Sequence, residues 1–217
     1  MTRVKICGIS EEVHALAAVE AGADLIGLVF APSPRQVTLA QAEKVAAAVR
    51  QGGSGVGIVG VFVNMPPVEV NKIAGSCNLD WVQLSGDESG EYCREITSPV
   101  IKAIRVGERG QVQNKLHTME EALAMREHLY LLDSRVEGKY GGTGETFDWN
   151  QVRKVADKFP VIVAGGLTAE NVAEAIRITA PWGVDVSSGV ETDGRKDTAK
   201  IRAFFEAVRK AEGDIER

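Results

Sequence analysis

Short apolar runs rich in β-branched residues alternate with longer amphipathic stretches along the whole chain. This alternation is typical of repeated strand–helix units that build a parallel β-sheet. Eight such units are predicted. Their strands are expected at Val4–Cys7, Leu25–Phe30, Gly57–Phe62, Trp81–Leu84, Val100–Ile104, Tyr130–Leu132, Val161–Ala164 and Val184–Ser187.

The amphipathic stretches predict a helix behind each strand. Ser10 is the expected cap of the first helix and Gly22 its expected stop. The stretch Val106–Lys115 is the least regular part of the pattern and is interpreted as a crossover. The helices are expected at Glu11–Ala21, Leu39–Arg50, from about Pro67, Glu88–Ile96, Thr118–His128, from about Trp149, Ala169–Ile178 and Asp197–Lys210.

Two α/β architectures could hold these units, and they differ in whether the sheet closes. An open sheet of eight short strands would leave two unpaired edges, whereas a closed barrel leaves none. The open, doubly wound alternative lacks its usual signal, because no predicted strand runs directly into a G-x-G-x-x-G segment that opens a helix. We therefore expect one α/β domain over residues 1–217, a (β/α)8 TIM barrel of eight parallel strands.

Charge and cysteine content narrow the range of partners. The 217 residues carry 25 basic and 30 acidic side chains, a net charge of −5 with no basic stripe, so nucleic acid is not an expected partner. The N-terminus lacks the order of a signal peptide and no apolar run approaches ~18 residues, so we expect a cytoplasmic protein without a membrane partner. Three cysteines without paired spacing indicate neither a disulfide framework nor a zinc site.

The stretch Tyr130–Trp149 contains the first candidate for chemistry. Its apolar strand ends at Asp133, and the next fourteen residues hold four glycines before Asp148, an expected cap for the following helix. Long loops inside compact domains are usually functional or disordered, and a mobile lid over an acid at a strand end is an active-site arrangement in α/β proteins. The alternative is an aspartate that only caps a turn before a surface loop.

Glycine-containing segments follow the seventh and eighth predicted strands. In a barrel the carboxyl ends of the strands converge on one mouth, where the loops after strands seven and eight commonly bind phosphate. Glycines let backbone N–H groups approach an anion, and a helix start near Ser188 would add its positive end. We expect a phosphate site at Gly165, Gly166, Ser187, Ser188 and Gly189; alternatively, the first two glycines serve only a tight turn.

Cys7 and Arg35 complete the predicted mouth. Cys7 ends the first strand, so a ligand anchored at the phosphate site would hang between this thiol and Asp133, and one group could accept a proton while the other donates one. Arg35 lies in a loop with two prolines, where a preset guanidinium could clamp a carboxylate with two parallel hydrogen bonds. The alternatives are a buried structural cysteine and a solvated loop arginine.

Seven segments match one enzyme family in residues and in order. They are Lys5–Ile9, Gly27–Phe30 with Ser33–Arg35, Val59–Asn64, Leu131–Asp133, Gly141–Gly144 with Thr146–Trp149, Ala164–Leu167 and Asp185–Glu191. Together they resemble the phosphoribosylanthranilate isomerase family of tryptophan biosynthesis. The resemblance implies a cofactor-free Amadori rearrangement of a small-molecule substrate, N-(5-phosphoribosyl)anthranilate, to 1-(2-carboxyphenylamino)-1-deoxyribulose 5-phosphate.

The resemblance also implies roles for the catalytic residues. Carried over by position, Asp133 would be the general acid that opens the ribose ring, and Cys7 the general base that removes the C2 proton. Asp185 would contact the substrate near the reacting centre. Whether the protein is a monomer or a homodimer stays open.

For binding, the resemblance implies that Arg35 holds the anthranilate carboxylate and that the Gly165 and Ser188 regions hold the phosphate. One departure is Ser85, where the family usually has histidine; we interpret that position as structural. A related barrel of the indole-glycerol-phosphate synthase type would need a lysine acid at a strand end, and Lys5 and Lys102 lie too deep or on the wrong face. A catalytically inactive barrel that only binds phosphate is the alternative from another class.

Overall fold

The structure, a computed structural model, describes residues 1–52, 55–106, 111–123, 127–133 and 149–215. Eight parallel strands pair in chain order, and the sheet closes because the first strand pairs with both the second and the eighth. The predicted (β/α)8 barrel is therefore confirmed. The strands are β1 (Arg3–Cys7), β2 (Leu25–Val29), β3 (Gly57–Phe62), β4 (Trp81–Leu84), β5 (Val100–Arg105), β6 (His128–Asp133), β7 (Val161–Ala164) and β8 (Gly183–Val186).

A helix follows each barrel strand in the described residues. The fifth differs most from its prediction: it begins at Gln111, inside the stretch interpreted as a crossover, and ends at Leu123. Leu116 and Leu123, seven residues apart, are both buried in the main core, so packing fixes this register. The helices are α1 (Glu12–Ala21), α2 (Leu39–Gly52), α3 (Pro67–Ser76), α4 (Gly90–Glu95), α5 (Gln111–Leu123), α6 (Trp149–Ala156), α7 (Val172–Thr179) and α8 (Thr198–Ile215).

The two predicted end signals of α1 had different outcomes. Gly22 ends the helix as expected, with a left-handed φ of 105° that glycine adopts without strain. Ser10 is not the cap, because Glu11 holds that position and makes no side-chain capping bond. Packing rather than capping fixes the start of α1, since Ala15 and Ala18 are fully buried in the core.

Successive residues of each strand face the helices and the barrel interior in turn. Between strands and helices lies the larger core, which includes Ile6, Ile26 and Phe62. A smaller cluster fills the barrel itself: Leu25, Val59, Ile101, Leu129, Leu131, Ile162 and Ala164. The same alternation places polar side chains on the inner face, among them Lys5, Cys7, Gln83, Arg105, Asp133 and Asp185.

A small hairpin beyond β8 was absent from the prediction. It follows a single 3-10 turn at Ser188–Val190 and consists of β9 (Glu191–Thr192) and β10 (Arg195–Lys196). Asp193 and Gly194 connect the two strands with φ angles of 50° and 76°, and Asp-Gly is a sequence that favours such two-residue turns. The hairpin places Glu191 directly opposite Lys196.

Candidate active site

Lys5 and Cys7 lie two residues apart on the inner face of β1. Lys5 is only 1% exposed, and its Nζ donates a hydrogen bond of 2.9 Å to Asp185 Oδ1 on β8. Gly27, on β2, leaves space beside them: a Cβ there would lie 3.0 Å from Cys7 Sγ and 3.1 Å from Lys5 Nζ. The thiol, the ammonium group and the carboxylate therefore form one buried cluster at the mouth of the barrel.

The charges in this cluster oppose the effect of burial on the thiol. Burial raises the pKa of Cys7 above its ordinary value; the charge and hydrogen bond of Lys5 lower it, while the charge of Asp185 raises it. Burial alone would lower the pKa of Lys5, but Asp185 and Cys7 together raise it above its usual value. At neutral pH Cys7 is therefore a protonated thiol beside a charged ammonium group that favours its anion.

Replacing Lys5 by methionine should move the reaction of Cys7 with iodoacetamide to higher pH. The thiolate is the reacting form, and the variant removes the nearest charge that stabilises it while leaving that of Asp185. The same change leaves Asp185 buried without its ion pair, so the free energy of unfolding should fall by about 3–5 kcal/mol. Peptide mass spectrometry across a pH series would follow Cys7 separately from the buried Cys77 and Cys93.

Lys102→Met is the matched control for this experiment. Lys102 forms a second buried ion pair, 2.7 Å from Glu88 Oε2, but on β5, away from Cys7. Its loss should destabilise the protein by a similar amount without changing the pH profile of Cys7 alkylation. If both variants shift the profile equally, the shift reflects loosened packing, and the electrostatic role of Lys5 is refuted.

Asp133 ends β6 at the same mouth. It is half-buried, and alternation with the inner residues Leu129 and Leu131 directs it into the barrel. Two strands, β7 and β8, separate it from β1, so Asp133 and Cys7 lie on either side of the predicted phosphate loops. Residues 134–147 and the expected cap Asp148 lie outside the described residues.

The glycines predicted to form the phosphate site lie in the loops after β7 and β8. The backbone is open at Gly166 and closely packed at Gly189. Gly165 and Gly166 have φ angles of 96° and 67°, and a Cβ on Gly166 would meet nothing within 4 Å. A Cβ on Gly189 would lie 1.9 Å from the carbonyl oxygen of Leu167, so the two loops touch where only glycine fits. The predicted helix start near Ser188 is a single 3-10 turn instead.

Ser187 lies just beyond β8, which ends one residue earlier than predicted. Its carbonyl oxygen accepts a hydrogen bond of 3.0 Å from Lys196 Nζ. Its hydroxyl oxygen would lie 3.2 Å from a Cβ on Gly8, the residue after Cys7. Ser187 therefore places the predicted phosphate loop beside the end of β1.

Arg35 reaches the mouth, but its guanidinium is already engaged. Its Nε and Nη2 donate hydrogen bonds of 2.7 and 2.6 Å to the two carboxylate oxygens of Glu191. Its aliphatic part covers Gly8, because a Cβ there would lie 2.5 Å from Arg35 Cδ. Arg35 is thus placed beside Cys7 by a partner that the sequence analysis did not identify.

Three charged residues of the mouth were missed or set aside at the level of sequence. Its position in the first strand predicts that Lys5 lies too deep to be an acid at the strand end, although its spacing of two residues from Cys7 puts both on one strand face. Glu191 and Lys196 were not singled out, although the intervening Asp193-Gly194 is a hairpin signal that places them opposite each other.

Two other kinds of site are absent from the described part of the chain. None of its helices is both long and apolar enough to cross a bilayer. Among the same residues, no three His, Cys, Asp or Glu side chains are grouped so that they could hold a metal ion.

The fold defines a (β/α)8-barrel protein, a class whose enzymes have their active sites at the carboxyl ends of the strands. Residues 4–207 match the family model described as N-(5'-phosphoribosyl)anthranilate (PRA) isomerase. The chain belongs to this family.

Individual relatives agree with the family match. The chain is 46% identical to the N-(5'-phosphoribosyl)anthranilate isomerase of Dehalococcoides mccartyi, over 99% of both chains. The crystal structure of phosphoribosyl anthranilate isomerase from Thermotoga maritima superimposes with a TM-score of 0.80 at 41% identity, covering 98% of this chain and 100% of the other. A structure of such an isomerase in complex with reduced 1-(o-carboxyphenylamino)-1-deoxyribulose 5-phosphate gives a TM-score of 0.78 at 39% identity, covering 97% and 100%.

Proposed function

We propose that this chain converts N-(5'-phosphoribosyl)anthranilate to 1-(2-carboxyphenylamino)-1-deoxyribulose 5-phosphate, the third step of tryptophan synthesis from chorismate, with Asp133 as general acid and Cys7 as general base. The observation that supports this most is family membership over residues 4–207. The cluster of Cys7, Lys5 and Asp185 at the mouth supplies a group for proton abstraction.

The rearrangement begins with two proton transfers at one end of the sugar. Asp133 donates a proton to the ring oxygen as the C1–O bond breaks, and the nitrogen lone pair forms a C=N bond. Cys7, as thiolate, then removes the C2 proton, and the electron pair of that bond forms C1=C2 and neutralises the nitrogen. Reprotonation at C1 and loss of the proton from the C2 hydroxyl give the ketone. Atoms and oxidation level balance within one molecule.

The charges around Cys7 suit the second of these transfers. The iminium nitrogen formed in the first step acidifies the C2 proton, and Lys5 favours the thiolate that removes it. Asp185 holds Lys5 by a buried ion pair, so that the ammonium group keeps its place and its charge. Asp185 also lies on the inner face of β8, next to the loop proposed to hold the phosphate.

Binding is assigned to the rim of the same mouth. The backbone of Gly165, Gly166 and Ser187–Gly189 is proposed to hold the phosphate, because its glycines leave room for an anion between two touching loops. The phosphate would then fix the sugar between Asp133 and Cys7. Arg35 is proposed to bind the carboxylate on the aromatic ring.

The direct test is turnover of phosphoribosylanthranilate by the purified protein in buffer with a chelator and without nucleotide. Loss of the fluorescence of the anthranilate group reports the reaction. We expect steady turnover. A protein that binds phosphate but leaves this fluorescence unchanged would be an inactive barrel, and the proposed function would be wrong.

Arg35→Ala should raise KM by about 10–100-fold, because charge-assisted hydrogen bonds are worth about 1.5–3 kcal/mol. The kcat should change less, since the carboxylate carries its charge in both the ground state and the transition state. Steady-state kinetics separates the two constants. An unchanged KM would make Arg35 a bystander and would remove it from the binding site.

The remaining partners are proposed from the sequence. The expected small-molecule partner is the phosphorylated substrate, and the net charge of −5 argues against nucleic acid. A cytoplasmic location suits such a substrate. Sedimentation of the purified protein decides between a monomer and a homodimer.

A further inference from the structure

The ion-pair network around Arg35 has more positive than negative charge. Arg35 and Lys196 share a single carboxylate, that of Glu191: its Oε1 accepts 2.7 Å from Arg35 Nε and 2.5 Å from Lys196 Nζ, and its Oε2 accepts 2.6 Å from Arg35 Nη2. The side chains of Glu191 and Lys196 are 6% and 3% exposed, that of Arg35 26%. Two cations and one anion leave a net charge of one positive unit. Arg35 is the most exposed of the three side chains, so this charge is accessible there.

The donors of Arg35 are used on one edge only. A guanidinium has five N–H donors, and the bonds to Glu191 occupy the edge formed by Nε and Nη2. In the described part of the chain Arg35 Nη1 has no hydrogen-bond acceptor. The Nη1/Nη2 edge therefore remains for a second carboxylate, and a pair of parallel hydrogen bonds is the geometry that this edge favours.

Glu191 is itself held in a fixed position. The hairpin sets it opposite Lys196, whose Nζ also donates 3.0 Å to the Ser187 carbonyl oxygen, and the backbone oxygen of Glu191 accepts 2.6 Å from Lys200 Nζ. Burial alone would raise the pKa of Glu191, but the hydrogen bonds and charges of Arg35 and Lys196 outweigh it and lower the pKa below its usual value. Glu191 therefore stays ionised at neutral pH.

We propose that Glu191 is the positioning residue of the carboxylate subsite: it holds the Arg35 guanidinium over Gly8 so that the free edge meets the carboxylate of the substrate. Lys196 neutralises Glu191, so Arg35 keeps its net charge for the ligand. This inference rests on the proposed role of Arg35. The opposite possibility is that Glu191 acts as an internal competitor that the substrate carboxylate must displace.

The two possibilities predict opposite changes of KM. With Glu191→Gln, positioning predicts that KM rises about 10-fold, because a neutral amide cannot accept both N–H groups. Competition predicts that KM falls, which would overturn the proposal. The inhibition constant of inorganic phosphate, which lacks the carboxylate, should stay the same; if it weakens as much as KM rises, the mouth as a whole is disturbed and the specific role is refuted.

A double-mutant cycle ties the effect to Arg35. In an Arg35→Ala background, Glu191→Gln should not raise KM further, whereas additive effects would refute the proposal. If Arg35→Ala itself leaves KM unchanged while the wild type turns over, the carboxylate subsite is wrong but the isomerase function stands. If the wild type has no turnover, the proposed function fails first.

A matched control exists on the same hairpin. Arg195 Nη2 donates hydrogen bonds of 2.9 and 3.1 Å to the two oxygens of Glu11 in a solvent-exposed pair. Glu11→Gln therefore removes a carboxylate–guanidinium pair that does not include Arg35, and it should not change KM. If Glu191→Gln does not fold because Lys196 is left unpaired, Glu191→Asp is the alternative variant. It keeps the negative charge, but its side chain is one methylene shorter, so the carboxylate lies farther from Arg35. Its KM should also rise, and an unchanged KM would refute positioning.

Discussion

Cys7→Ala should lower kcat by about 10²–10⁴-fold, the usual contribution of a general base. The variant removes the thiol but leaves the apolar neighbours Val29, Ala31 and Val61 in place, so the barrel should still fold. The fluorescence assay with substrate at saturation measures the loss, and circular dichroism verifies the fold. Retained turnover in a folded variant would eliminate Cys7 as the base.

The pH dependence of the wild type gives a second test of the same residue. Since burial raises the pKa of Cys7, the thiolate fraction at neutral pH is smaller than for an ordinary cysteine. The kcat/KM should therefore increase with pH until the thiol has lost its proton, and Cys77→Ala, which changes another buried free cysteine, should leave both kcat and this profile unchanged. A profile that is already flat at neutral pH would contradict the assignment.

Asp133→Ala is the second substitution with a large expected effect, also about 10²–10⁴-fold in kcat. Without a proton donor the ring oxygen leaves as a poorly stabilised anion, so opening of the furanose becomes the slow step. Asp133→Asn should lose nearly as much, since an amide keeps the shape of the side chain but is not an acid. Stopped-flow measurements on both variants would show whether ring opening has become limiting.

Asp24→Asn is the control for Asp133. Asp24 lies just before β2 at the opposite face of the barrel, where its Oδ2 accepts a hydrogen bond of 2.8 Å from the Val4 backbone N–H. Its loss should lower stability and leave kcat unchanged, because the amino-terminal face of such barrels serves folding rather than chemistry. Similar losses of kcat in both variants would show that Asp133 matters only for folding.

The strands could be predicted closely because each is a short apolar run with a single possible place in the barrel. Helix α5 could not, since its true start lies in a polar, glycine-containing segment. There the position follows from the burial of Leu116 and Leu123 in the finished core. The sequence pattern predicts His128 as the end of the fifth helix, but His128 begins β6, where its ring packs against Tyr130.

For the candidate site, sequence order predicts which residues reach the mouth but not which of them pair. Cys7 and Asp133 were identifiable as strand ends. The bond of Lys5 to Asp185 spans 180 positions and that of Arg35 to Glu191 spans 156, and no local pattern records contacts of that range. The sequence therefore predicts that the Arg35 guanidinium can bind a carboxylate, but not that its Nε and Nη2 already donate hydrogen bonds to Glu191.

These long-range pairs also make the active site a late product of biosynthesis. Lys5 and Cys7 leave the ribosome before Asp185, which follows Lys5 by 180 residues, and this distance takes roughly ten to forty seconds at common elongation rates. During that interval Lys5 lacks the carboxylate that it holds in the finished barrel. A chain that ends before β8 therefore lacks the carboxylate that holds the Lys5 ammonium group beside Cys7.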